Sequence, residues 1–264
     1  MDWEFVTLEK NGRVAIVRFD RGHKANAISR QLMDELTAAA RSFEGDFETS
    51  VIVLAGRDDA FSMGRDLNDP RLANIDELGL AERRKAIQAG PRLTKAWEDV
   101  EPITIAAIDG WCVGGGTALA VACDFRVMAS TAHMYVPEVE RGFNMSWQSV
   151  PRIVNLIGPA KTKRLIVLAE KLDAEKALAW GLTDEVSDGA GALSAACKMA
   201  ERIASMPPVQ VRMVKQGINA YANALSHATS VMDADQFALA FTSEDRQEGV
   251  EAFLEGRDPV YSGK

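Results

Sequence analysis

The chain has 264 residues, 47% apolar and 26% charged, and a formal net charge of −8 from 30 basic and 38 acidic side chains. That length and apolar share suffice for one large domain or a core with an appendage, and the acidic balance argues against a nucleic-acid surface, which carries a basic stripe. No apolar run approaches the ~20 residues of a membrane span, and Met1-Asp-Trp-Glu has neither part of a secretory signal, so a cytoplasmic location is expected.

In chain order, Phe5–Lys10 and Val14–Phe19 read as a hairpin with Asn11-Gly12 at its turn. Ser29 is placed to cap a helix whose Met33, Leu36, Ala40 and Phe43 fall on one face. Val51–Ala55 is a continuous apolar run, as expected of a strand covered on both sides. Asp59-Ala-Phe-Ser-Met-Gly-Arg-Asp-Leu67 reads as a glycine turn, residues 75–98 as an amphipathic helix, and Ile103–Ile108 as a second covered strand. Thr117–Cys123 reads as a buried helix and Asp124–Ala129 as a strand. From about Ser146 helix follows helix (147–156, 160–169, 173–180, 190–204, 208–222 and 228–254), with Pro207-Pro208 breaking two of them. Strands alternating with helices imply an α/β architecture. Cys112, Cys123 and Cys197 are odd in number and sit in apolar contexts, as reduced core thiols do.

Chemistry concentrates where the Ile103 strand passes through Asp109-Gly-Trp-Cys-Val into Gly114-Gly115-Gly116 and then a helix. Such a turn exposes unpaired backbone N–H groups beside the positive end of the helix dipole, a setting for a phosphate or a developing oxyanion. The chain has no Lys-Ser/Thr of a P-loop and no G-x-G-x-x-G, which disfavours phosphate. Close packing of helix on strand would also explain the glycines. Glu138 follows Pro137 among Met134, Tyr135, Val136 and Val139. Burial there would lift its pKa toward the range useful for acid–base work; a solvated loop residue is the plainer alternative. Glu140, two residues on, faces the other way in an extended segment and reads as surface.

Taken together, the glycine run, Pro137-Glu138, the Gly64 turn and the closing Asp245–Arg257 segment resemble the enoyl-CoA hydratase/isomerase (crotonase) family, nearly end to end. The resemblance implies a crotonase-like spiral of β-β-α turns over residues 1–200 and a helical module over 201–264 that makes trimers or a dimer of trimers. It implies an acyl-CoA thioester substrate, with coenzyme A entering as part of the substrate and no separate cofactor. Glu138 would be the proton shuttle, and the N–H groups of Gly115 and Arg65 the oxyanion donors. Arg21-Gly-His-Lys-Ala-Asn-Ala27 is similar to the segment beside the coenzyme, which makes Lys24 and Ala25 candidate contacts, although Gly22 stands where the family has proline. Gly64, Gly114, Trp111 and Phe237 join the substrate-binding candidates, and Asp66 does so while steadying its turn. The final lysine of the family pattern is here Gly256, so its phosphate contact is either lost or moved to Arg257 or Lys264.

Hydratases of the family carry a second glutamate after the glycines, where this chain has Ala118. The single carboxylate is similar to that of double-bond isomerases and of hydroxycinnamoyl-CoA hydratase-lyases. The latter share the Gly110-Trp-Cys-Val-Gly-Gly-Gly116 pattern, but their tyrosine is missing near Pro70. Branches with an aspartate eight residues after the glutamate meet Ser146. The alternative is an oligomeric binding protein without catalysis, RNA binding included, against which stand the net charge and an intact Glu138. His23, His133 and His227 show no ligand spacing, so no metal is expected. Gly-x-Ser-x-Gly is absent. Trp97, Trp111 and Trp147 are candidates either for an acyl pocket or for core packing.

Overall fold

The computed structural model describes residues 3–22, 26–73, 77–188 and 191–264, apart from the side chains of Leu72, Ala73 and His227. In the first half the elements are β1 (Val6–Asn11), β2 (Val14–Phe19), α1 (Arg30–Arg41), β3 (Val51–Ala55), β4 (Ala60–Ser62), α2 (Pro70–Ala73), α3 (Leu80–Ile87) and α4 (Ala89–Asp99). Then come β5 (Ile103–Ile108), β6 (Trp111–Val113), α5 (Gly115–Ala120), β7 (Phe125–Ala129), β8 (His133–Tyr135) and α6 (Ser149–Val167). The chain continues through β9 (Leu172–Asp173), α7 (Ala174–Trp180), β10 (Glu185–Ser187) and α8 (Ala192–Ala204). It closes with α9 (Pro208–Ala222), α10 (Ser226–Ser230), α11 (Asp233–Ala240) and α12 (Glu244–Glu255).

Two sheets organise these elements. A six-stranded sheet runs β1-β2-β3-β5-β7-β10 and is parallel except at β1; a four-stranded sheet runs β4-β6-β8-β9 and is parallel except at β9. The chain leaves the large sheet for the small one three times, β3 into β4, β5 into β6 and β7 into β8, and each time returns through helix. That is a spiral of β-β-α turns. Its consequence is that the loops leaving β4, β6 and β8 stack at one edge of the small sheet. β3 and β5 are buried at every residue because strands flank them and helices cover them; α8 lies across β3, β5 and β7. Ser29 caps α1 by accepting from the Leu32 N–H, and Leu32, Met33, Leu36, Ala39 and Ala40 form its buried face.

Several boundaries differ from the sequence reading. Asn11 pairs with Val14, so the hairpin loop is Gly12-Arg13, one residue later than Asn11-Gly12. The helix expected over 75–98 is two, joined at Gln88, with residues 74–76 outside the described set. The helix expected over 228–254 is three, because α12 starts afresh at Ser243, whose hydroxyl caps the Arg246 N–H. α6 carries both helices expected over 147–169 and breaks between them at Gly158 (φ 75°, ψ 164°), ahead of Pro159. The buried helix starts at Gly115 rather than Thr117 and ends at Ala120.

The C-terminal helices are tied back onto the body at two places. Lys215 of α9 is buried, donating to the carbonyls of Val100 and Pro102 at 2.8 Å each and pairing with Asp124 at 2.6 Å. Phe237 of α11 and Phe241 just past its end close a second apolar cluster with Ile87, Phe143 and Ala234. Among the described residues, no helix is long and apolar enough to cross a membrane.

Candidate active site

The loops after β4, β6 and β8 meet around a chamber of about 70 Å³. Gly114 takes φ 52° and ψ −112° and gives its N–H to the Tyr135 carbonyl at 2.8 Å, which turns the chain from β6 into α5. The left-handed φ of Gly114 strains any side chain there, and a Cβ would lie 2.4 Å from Oε1 of Glu138 and displace the carboxylate. One on Gly115 would lie 2.8 Å from the Trp147 ring. The Gly64 turn abuts the same place, with a Cβ position 3.3 Å from the Gly115 nitrogen.

Backbone donors converge on the chamber. Ile28 donates to the Gly64 carbonyl at 2.7 Å and accepts from the Asp66 N–H at 3.0 Å. In an extended segment successive groups alternate sides, so the Arg65 N–H points away from Ile28. The Gly115 N–H opens α5 and has no intrahelical acceptor. Among the described residues neither N–H meets a protein acceptor.

Glu138 sits where the chain leaves β8. Its carbonyl accepts from Arg141 and Phe143 at 3.0 and 2.9 Å, which fixes a single 3-10 turn (Val139–Arg141) and holds the side chain inward. The residue as a whole is half-buried, yet Oε2 is enclosed and has no hydrogen-bond partner among the described residues. Burial pushes the carboxyl up to about 7, only partly opposed by its own backbone N–H and the charge of Arg141. Among the described residues that line the chamber, Glu138 is the one carboxylate; Ala118, at the site of the family's second glutamate, presents a methyl to the wall.

Of the residues singled out in the sequence, Gly64, Arg65, Gly114, Gly115, Glu138 and Phe237 line this one chamber. The Arg65 guanidinium lies 5.9 and 5.7 Å from the Phe237 and Phe241 ring centres, and burial together with nearby Arg246 lowers its pKa to about 10. Phe237, expected near an adenine, stacks on Phe143 with centroids 5.5 Å apart and forms part of the chamber wall. Asp66 is buried and does not line the chamber; it receives Arg21 at 2.7 Å and the Asn68 N–H at 3.0 Å, bonds that hold its turn. Trp111 is not in the chamber; it stacks on His133 and lines a neighbouring groove with Tyr135 and Lys171. Lys24 and Ala25, with His23, lie outside the described residues. Arg257 is committed to Glu248 and Glu255. Trp97 is core, and of the three candidate tryptophans Trp147 alone lines the chamber. Glu140 is exposed and takes the Tyr135 hydroxyl.

The sequence reading missed Phe143 and Asp233, whose places depend on chain segments that meet only in the fold. Among the described residues no cluster of His, Cys, Asp and Glu could hold a metal. Cys112 and Cys123 are buried free thiols whose pKa values burial raises to about 12.

Residues 9–264 match the family model described as enoyl-CoA hydratase/isomerase. The chain is 30% identical over 258 residues to the short-chain-enoyl-CoA hydratase of Clostridium acetobutylicum, covering 97% of each. It is 30% identical over 265 residues to the crotonyl-CoA hydratase of Syntrophomonas wolfei, with 100% of both covered. A crystal structure of an enoyl-CoA hydratase from Mycobacterium avium superposes with a TM-score of 0.86 at 23% identity over 99% of this chain and all of the other, a likeness of fold.

Proposed function

The chain belongs to the enoyl-CoA hydratase/isomerase family and is an acyl-CoA enzyme of that class, and we propose that Glu138 moves a proton at the carbon beside the thioester carbonyl of an enoyl-CoA. Deprotonation there, or addition at the neighbouring carbon, drives charge onto the thioester oxygen. That oxygen needs preorganised donors in a water-poor site, and the Arg65 and Gly115 N–H groups offer two. A carboxyl near 7 can give as well as take a proton near neutrality, since neither form is strongly disfavoured. Coenzyme A enters as part of the substrate.

The observation that carries this reading is Glu138 on the chamber wall with an enclosed, unpartnered Oε2, in the same lining as Arg65 and Gly115, whose N–H groups meet no protein acceptor among the described residues. Product analysis after incubation with 2-enoyl, 3-enoyl and hydroxycinnamoyl thioesters tests it and sorts isomerase from hydratase and lyase. All product formation should depend on Glu138; turnover undiminished in Glu138→Gln would refute the assignment.

We further assign residues 1–200 to the catalytic core and 201–264 to a module that joins copies of the chain into a trimer or dimer of trimers. In support, Val209, Met213, Val214 and Ile218 on α9 are all exposed, an apolar surface suited to burial against another copy.

A further inference from the structure

Glu138 accounts for one proton. Adding water across a double bond needs a second group, to orient the water and take its proton, and Ala118 has nothing to offer. A different side chain reaches the chamber wall. Ser146 lines it, and its hydroxyl lies 2.7 Å from Oδ2 of Asp233 on α11. Both residues are almost wholly enclosed, at 4% and 9% exposure. The same Oδ2 accepts from the Gln148 N–H at 3.1 Å. An ionised carboxylate only accepts, so the Ser146 hydroxyl is the donor, and its lone pairs are left to accept from the chamber side.

The intervening backbone is strained. Trp147 and Gln148 both take left-handed φ, 61° and 57°, which non-glycine residues hold only where the surroundings fix them. Asp233 does so by gripping both ends of this turn. Burial raises its pKa above the ordinary aspartate range, with Ser146, the Trp147 and Gln148 N–H groups and Arg152 of α6 opposing.

We propose that Ser146 and Asp233 form a relay that supplies the second acid–base function of this site, Ser146 holding the reacting water and Asp233 standing behind it. This rests on the reading of Glu138 given above. In hydration the water oxygen bonds to C3 of the enoyl thioester. Its proton passes to Ser146 Oγ as the Ser146 proton passes to Asp233. The C2–C3 π pair moves into the enolate, whose oxygen lies at the Arg65 and Gly115 N–H groups. Collapse of the enolate takes the proton of neutral Glu138 onto C2. One water has been added, Asp233 ends protonated and Glu138 ionised, and proton exchange with solvent restores both. Ser146 is the catalytic residue of the pair; Asp233 acts through it as a positioning residue and proton reservoir.

Two reactions of the full-length protein separate this relay from simple support of the loop. Hydration of crotonyl-CoA needs both groups, whereas exchange of the C2 protons of butyryl-CoA with deuterated water, followed by NMR, needs only Glu138 and the N–H donors. Ser146→Ala leaves Asp233 its Gln148 bond and is the variant least exposed to misfolding; Asp233→Asn is its companion. The expected result is a fall of about 10²-fold or more in kcat for hydration, with KM little changed, a much smaller fall in exchange, and partial recovery of hydration in Ser146→Thr. Hydration and exchange falling together, or hydration holding in Ser146→Ala, would overturn the relay. Failure of the Glu138 reading has its own signature, undiminished exchange in Glu138→Gln.

Discussion

Replacing Glu138 with glutamine removes a titrating group from a place where ionisation is costly, and stability should record that cost. Burial raises the carboxyl from 4.5 to about 7 in the folded chain. The folded value exceeds the unfolded one, so between these two pH values the native state binds more protons than the unfolded chain. Stability then falls as pH rises through the window, because the slope follows the protons bound by the unfolded minus the native state. At about 1.4 kcal/mol per pH unit, the gap between 4.5 and about 7 is worth about 3 kcal/mol. Glutamine keeps the shape and has no such dependence. Urea unfolding at fixed protein concentration, repeated from about pH 4 to about pH 8, should therefore show wild type losing about 3 kcal/mol relative to Glu138→Gln, with no further divergence above that window. Equal pH slopes in the two proteins would refute the burial argument. In the same series kcat/KM for C2 exchange by wild type should rise with pH and level off above about 7.

Gly115→Val should cut turnover by orders of magnitude, because a Cβ there already lies 2.8 Å from the Trp147 ring; full activity would show that the Gly115 N–H is not a donor to substrate. Lys215→Met removes an ammonium that joins α9 to Val100, Pro102 and Asp124, and breaking such a buried pair costs about 3–5 kcal/mol. For a chain of this size that is a drop of roughly 10 °C in Tm by thermal scanning, and an unchanged Tm would mean α9 is held by other contacts. Light scattering at micromolar concentration should find a trimer or hexamer, and a monomer would contradict the assembly role given to the apolar residues exposed on α9.

Elements whose identity is written in a local pattern were legible before folding. β3 and β5 are continuous apolar runs because both faces are covered, and Ser29 announces α1 because an N-cap is a local hydrogen bond. The second sheet was not legible. Its strands, β4, β6, β8 and β9, are two or three residues long, too short to show a period, and they form because the glycine turns deliver them side by side. The break at Gly158, which divides α6 into the two helices expected over 147–156 and 160–169, was legible because Gly158-Pro159 is a local signal.

The candidate site divides along the same line. Gly114 and Gly115 could be found because the glycine turn is a local requirement, whereas Glu138 was singled out by the resemblance of Pro137-Glu138 to the family pattern, its local sequence alone fitting a solvated loop as well. Their relation, with Oε1 of Glu138 2.4 Å from the place a Gly114 Cβ would take, is one the sequence cannot state. Trp111 and Asp66 stand outside the chamber lining. Each sits within two residues of a true chamber residue, yet alternation along an extended segment turns Asp66 to Arg21, and Trp111 lies over His133. Proximity in sequence places a backbone; only the direction of each bond places the chemistry. Asp233 is the converse, a residue 87 positions from Ser146 that nothing local connects to the chamber. It arrives because Phe237 and Phe241, a turn and two turns further along α11 and its end, bury themselves against Phe143, and the helix that carries them has one carboxylate directed at the strained loop. An apolar contact made for packing thus determines where a buried charge can stand, and through it which hydroxyl faces the substrate.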